Sequence, residues 1–215
     1  HGSGAPLTQA RSAYAAGLVD WKQGRFASAH DQLEQALRVL ETATVAETPR
    51  LERQTLALEG ACLNTSAAIC WSQGDLVGAR ANLERLLTVS SRSRNRLQAI
   101  AASVNLGLIA QGRGEDGQAI AYYERALRAE RVLGSRRSAS VTNLGELYLE
   151  LGAYTAAERH LEEALAINKE TGNRANVSMV LGDLGLLARR RGDAALAQER
   201  YAEALNIALE RGDRA

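Results

Sequence analysis

Asn143-Leu144-Gly145-Glu146-Leu147-Tyr148-Leu149-Glu150-Leu151-Gly152-Ala153-Tyr154-Thr155-Ala156-Ala157-Glu158-Arg159-His160-Leu161-Glu162-Glu163-Ala164-Leu165 reads as two helices folded back on each other. Val141, Leu144, Leu147, Tyr148 and Leu151 recur at helical spacing and make the first helix amphipathic. Gly152 stops it, because only glycine enters the left-handed turn region without a steric cost. Tyr154, Ala157, Leu161, Ala164, Leu165 and Ile167 then carry a second apolar stripe. Thr171-Gly172-Asn173-Arg174 closes that helix with another glycine. The unit is helix–turn–helix–turn.

The same spacing occurs five times. Gly24, Gly74, Gly114, Gly152 and Gly192 are each followed five residues later by alanine (Ala29, Ala79, Ala119, Ala157, Ala197). Thirteen residues after each glycine stands leucine (Leu37, Leu87, Leu127, Leu165, Leu205). The glycines are 50, 40, 38 and 40 residues apart, so the unit is a tandem repeat that sets the architecture before any local reading. Seven residues before the turn, Gly17, Gly107, Gly145 and Gly185, with Ala67 in the second repeat, leave room for the paired helices to approach closely. The first interval is ten residues longer than most, and Thr48-Pro49 within the extra stretch reads as an N-cap followed by a first helical residue.

Composition agrees with an all-helical chain. Ala, Leu, Arg, Glu and Gln dominate its 215 residues, with two prolines and one phenylalanine. A net charge of +1 argues against a nucleic-acid or membrane partner drawn by charge. No apolar run reaches the roughly 18 residues of a membrane span, and no signal peptide is evident. Cys62 and Cys70 lie eight apart on one predicted helix, about 12 Å at its rise per residue, too far for a disulfide. They read as small apolar residues of a reduced, cytoplasmic protein.

The run Asn143-Leu144-Gly145-x-x-Tyr148-x-x-x-Gly152-x-Tyr154-x-x-Ala157-x-x-x-Leu161-x-x-Ala164-Leu165 resembles the tetratricopeptide repeat position for position. The resemblance covers about residues 8–214. It implies an all-α solenoid of five tandem helical hairpins, about ten helices wound as a right-handed superhelix. The repeats fall at 8–47, 48–94, 95–134, 135–173 and 174–214 within a single body from residue 7 to 215, and residues 1–6 read as a tag remnant without fixed structure. Repeats of nearly forty residues lacking the proline that usually ends the second helix are similar to those of kinesin light chains and bacterial signalling or transcriptional regulators.

In such solenoids the first helices line a groove. By resemblance the groove positions lie thirteen, ten, nine, six and three residues before each turn glycine. The nine-before position holds Ala15, Thr65, Asn105, Asn143 and Asp183. An asparagine amide both donates and accepts, so such a row either bonds the backbone of an extended peptide or fixes the geometry between repeats. Around it the groove is expected to hold Tyr14, Leu18, Trp21, Asn64, Trp71, Leu108, Gln111, Glu146 and Arg189. Trp21 and Trp71 are either binding anchors or packing between hairpins.

Catalysis finds no support. His30 and His160 lie on second helices of distant repeats, and no His, Cys and carboxylate set has metal or triad spacing. Gly112-Arg113-Gly114-Glu115-Asp116-Gly117 matches a dinucleotide fingerprint but follows a helix and coincides with a repeat turn. No cofactor is expected. The function read from the sequence is a non-catalytic scaffold that binds a peptide segment of another protein. The alternative is the sensor region of a larger bacterial transcriptional regulator or signalling NTPase. Because solenoids normally end in a polar capping helix, the last hairpin is expected to meet further chain of a longer protein or to form a homodimer.

Overall fold

The computed structural model describes residues 5–42 and 48–212. Among them are ten helices and no strand: α1 (Ala5–Lys22), α2 (Phe26–Thr42), α3 (Pro49–Ser72), α4 (Leu76–Ser93), α5 (Arg96–Gly112), α6 (Asp116–Val132), α7 (Ala139–Glu150), α8 (Tyr154–Glu170), α9 (Arg174–Arg190) and α10 (Ala194–Glu210). The protein is an all-α helical repeat.

The turn glycines do what the spacing requires of them. Gly24, Gly74, Gly114, Gly152 and Gly192 have φ between 71° and 85°, in the left-handed region. The following residue opens the next helix, and where it is Asp75 or Asp193 its carboxylate accepts from Gly78 N at 2.9 Å or Leu196 N at 3.0 Å. Ala29, Ala79, Ala119 and Ala157 are fully buried five residues on.

Gly145 leaves room for a leucine of the paired helix. A Cβ placed on it would stand 2.7 Å from Leu161 Cγ and Cδ2. Gly185 has the same relation to Tyr201, at 2.7 Å, and Gly17 a looser one to Leu33, at 3.2 Å. The glycine of the first helix thus receives the residue nine places after the turn, which crosses over it.

Two compact bodies result, His1–Ile109 and Ala110–Ala215. In the first, α1 pairs with α2 and α3 with α4, and α2 packs on α3. In the second, α7 pairs with α8 and α9 with α10, while α6 packs on α7 and α8 on α9. Its core holds Tyr123, Val141, Leu144, Leu161, Val180 and Leu181, all fully buried.

One local expectation changes, and the inserted stretch takes a definite form. α1 starts at Ala5, so Ala5 and Pro6 are helical rather than part of a leading remnant; residues 1–4 lie outside the described residues. Part of the inserted length goes into α3, which has 24 residues where α5 and α9 have 17. Thr48 caps it, its Oγ1 accepting from Leu51 N at 3.2 Å, with Pro49 as first helical residue. Residues 43–47 of the same insertion lie outside the described residues.

Candidate functional site

In the first body, α3, α4 and α5 enclose a cleft of ≈ 330 Å3. Ala67, Ala68 and Trp71 come from α3, Leu83 from α4, and Asn105 and Leu108 from α5. The two alanines keep the floor low, while Trp71 (45 % exposed) and Leu108 (39 % exposed) stand at the rim. Two exposed apolar side chains that share one cleft with a polar amide suit a ligand. Asn105 is half-buried, and among the described residues its amide has no hydrogen-bond partner.

Three expected groove residues, Trp71, Asn105 and Leu108, therefore share one cleft. Asn64 is exposed on α3 but outside this lining. Thr65, at the nine-before position of the second repeat, is buried and spends its hydroxyl on Ala61 O of its own helix at 3.0 Å. Tyr14, Leu18 and Trp21 are half-buried on α1 and are not part of the cleft's lining.

In the second body a different cleft, of ≈ 280 Å3, lies between α7 and α9. Glu146, Leu149 and Glu150 line it from α7, and Asp183, Leu186 and Arg190 from α9. Burial, reinforced by the negative charges of Asp183 and Glu150, pushes the Glu146 carboxyl up to about 7. Burial alone holds Asp183 at about 6. Gln111 fixes the third carboxylate: its Nε2 donates to Glu150 Oε2 at 2.9 Å, and its Oε1 accepts from Tyr123 Oη at 2.8 Å. Tyr123 is fully buried, and that burial with the nearby Glu146 and Glu150 charges raises its phenol. Asn143, half-buried, has no hydrogen-bond partner among the described residues.

Arg189 faces elsewhere, at the rim of a third cleft on α10 with Tyr201 and Leu205. Ala68, Leu149 and Leu186 fall at the six- and three-before positions of the repeat ruler, whereas Leu83, Tyr123, Glu150 and Arg190 lie off it. Leu83 and Tyr123 carried a different signal, since their shared position, nine after the turn, holds leucine in the first, second and fourth repeats (Leu33, Leu83, Leu161).

Among the described residues no group of three or more His, Cys, Asp or Glu could hold a metal ion. No described helix is long and apolar enough to cross a membrane. Cys62 and Cys70 are free and buried, and burial, with the Glu59 charge, pushes the Cys62 thiol up to about 12, so it is not a nucleophile at neutral pH.

No curated protein matches the chain in sequence. Among solved structures, BtubC (BKLC) from P. vanneervenii is similar at 19% identity, with 98% of this chain and 94% of that one covered and a TM-score of 0.68. The TPR-like repeats of a kinesin light chain-type protein from Podosopora anserina align at 18% identity over 97% of this chain and 98% of that one, TM-score 0.71. A Rap protein complexed with Competence and Sporulation Factor aligns at 19% identity and TM-score 0.66 over 95% of this chain, which spans only 55% of it. At these identities the likeness is one of fold. The sequence itself matches the tetratricopeptide repeat model over residues 60–131 and 137–210, more than half of its length, and the chain belongs to the tetratricopeptide repeat family.

Proposed function

We propose that this chain is a protein-interaction scaffold, without chemistry of its own, that holds an extended peptide segment of a partner in the α3–α4–α5 cleft. One observation carries the reading: Trp71 and Leu108, both exposed, share one cleft with the unbonded amide of Asn105, and alanine and leucine complete its lining. An apolar peptide side chain would enter between Trp71 and Leu108, and Asn105 would donate to and accept from the peptide backbone. The cleft lies at the lower end of the roughly 300–1,000 Å3 range of ligand sites, enough for one anchoring side chain. Asn64, Asn143, Gln111, Glu146 and Asp183 are secondary candidates, the last three for a basic side chain, and Tyr14, Trp21 and Arg189 are outlying ones. A cytoplasmic setting goes with this reading, as does the absence of any role in binding nucleic acid.

A displayed library of random peptides tests it. Peptides with a leucine, phenylalanine or methionine anchor should enrich on the 215-residue chain, and Trp71→Ala should weaken them at least tenfold while the helix content stays unchanged. Binding indifferent to both Trp71→Ala and Asn105→Ala sinks the reading.

A second reading rests on the Rap protein, whose structure holds a bound factor. On that reading this chain is the sensor portion of a larger bacterial regulator, and an inducer or intramolecular contact takes the place of the partner peptide. A second copy of the chain, meeting the last hairpin, is a further protein partner compatible with either reading.

A further inference from the structure

The second body matches its surface carboxylates with arginine. Glu158 pairs with Arg191 at 2.8 Å, Glu162 with Arg200 at 3.2 Å and Glu163 with Arg131 at 2.8 Å. Glu146 and Asp183 break that habit. They line the same hollow of ≈ 280 Å3 between α7 and α9, and among the described residues neither carboxylate has a hydrogen bond or an ion pair. Asp183 Oδ2 is shut off from solvent without a partner. Burial raises both carboxyls, the charges of Asp183 and Glu150 add to the rise of Glu146, and no cation offsets it. Arg190, the basic residue of the lining, is exposed.

Packing does not account for such a pair. A half-buried carboxylate without a partner costs stability at neutral pH, a cost that an apolar residue at either position would avoid. Carboxyls perturbed in this way within a cleft mark functional sites. Four of the lining residues also stand at the groove register: Leu149 three, Glu146 and Leu186 six, and Asp183 nine residues before their turn glycines. Leu149 and Leu186 offer an apolar wall to a chain of methylenes, and the carboxylates offer acceptors to a charge at its end. A bare metal ion is a poor match, since no group of three or more His, Cys, Asp or Glu among the described residues could hold one.

We infer that the α7–α9 cleft is a pocket for a lysine or arginine side chain of the partner, its stem against Leu149 and Leu186 and its charge between Glu146 and Asp183. The inference rests on the protein-interaction reading for the source of that side chain, and the α3–α4–α5 cleft plays no part in it. The charged and titratable groups around the guest are Glu146 and Glu150 from α7 and Asp183 and Arg190 from α9. Tyr123 of α6 reaches Glu150 through Gln111 of α5. With Glu146 at about 7 and Asp183 at about 6, both carboxyls are charged at pH 8 and largely neutral at pH 5. Affinity for a cation therefore falls as the pH falls, and binding draws protons off both groups.

Nuclear magnetic resonance titration of the 215-residue chain with N-acetyl-lysine N-methylamide tests it. At about millimolar probe, the affinity open to a ligand of that size, the amides of residues 146–150 and 183–190 should shift saturably at pH 8. The N-acetyl-norleucine counterpart, with the stem but no charge, should leave them in place. Glu146→Gln and Asp183→Asn should each weaken the lysine probe about tenfold or more, and so should pH 5. Helix content by circular dichroism serves as the folding control, and Trp71→Ala should leave the lysine affinity unchanged. No saturable shift at those amides, equal shifts with the norleucine probe, or a lysine affinity unmoved by both substitutions with the fold intact overturns the inference. The two readings fail separately. Peptides that enrich through Trp71, without a lysine signal at α7 and α9, overturn this inference alone. A lysine signal there, beside peptides indifferent to Trp71 and Asn105, overturns only the reading of the α3–α4–α5 cleft.

Discussion

Asp183 on α9 faces Glu146 on α7 across one cleft, and its charge adds to burial in holding the Glu146 carboxyl at about 7. Both carboxyls are raised, Asp183 to about 6, so the folded chain binds more protons than the unfolded one between about pH 4 and 7. The sign follows: this contribution is most favourable below the unfolded values and is lost as pH rises through 6 to 7. Thermal stability should fall from pH 5 to pH 8. Glu146→Gln should flatten that slope and stabilise the protein at pH 8 by about 2 kcal/mol, after solvent screening of a partly exposed site. A slope identical to wild type would contradict the assignment.

Glu130 on α6 is 2 % exposed, and among the described residues neither carboxylate oxygen has a hydrogen-bond partner. Burial raises its carboxyl, with Ser140 and Arg137 pulling less strongly the other way. A raised carboxyl again costs stability as pH rises. Glu130→Gln should therefore stabilise the second body at pH 8, on the order of 1–3 kcal/mol, and show less benefit at pH 4. Chemical denaturation at the two pH values measures the difference.

The position of Glu130 shows where the sequence stopped being legible. Sixteen residues after the turn stand Leu40, Ser90, Glu130 and Asn168, all buried. Three polar side chains at one register look like a solvated face, yet they lie between packed helices, where Ser138 Oγ donates to Asn168 Oδ1 at 2.8 Å. By contrast, Gly152 and Ala157 were readable because a positive φ and full burial at a repeated position restrict residue type locally. Ten residues after the turn, glutamate recurs on the surface, Glu84 pairing with Arg80 at 3.0 Å and Glu162 with Arg200 at 3.2 Å. Asn105, Trp71 and Leu108 could be assigned to a groove only through the family resemblance. The Tyr123–Gln111–Glu150 chain joins α6, α5 and α7, and no spacing within one helix encodes it.

Gly145→Ala should be costly. The added methyl would stand 2.7 Å from Leu161 Cγ and 3.2 Å from the Leu161 backbone nitrogen, so α7 and α8 must separate. The expected loss is about 1–3 kcal/mol. Gly17→Ala, with its nearest contact at 3.2 Å to Leu33, should lose clearly less. Equal losses in urea denaturation would show that the crossing distance does not control the cost.

Asn105 and Asn143 decide between a ligand ladder and a repeat clamp. A clamp needs hydrogen bonds to the neighbouring repeat, and among the described residues neither amide makes one. Their replacement by alanine should then change stability by no more than about 0.5 kcal/mol, as at unengaged, half-exposed positions. An inter-repeat hydrogen bond at either site would raise the cost to about 1 kcal/mol or more. The decisive comparison is Asn105→Ala against Leu106→Ala one residue along, where a fully packed leucine should cost about 2–5 kcal/mol. Should Asn105→Ala approach the leucine value in equilibrium unfolding, the asparagine is structural, and the peptide-binding reading loses its polar contact while keeping Trp71 and Leu108.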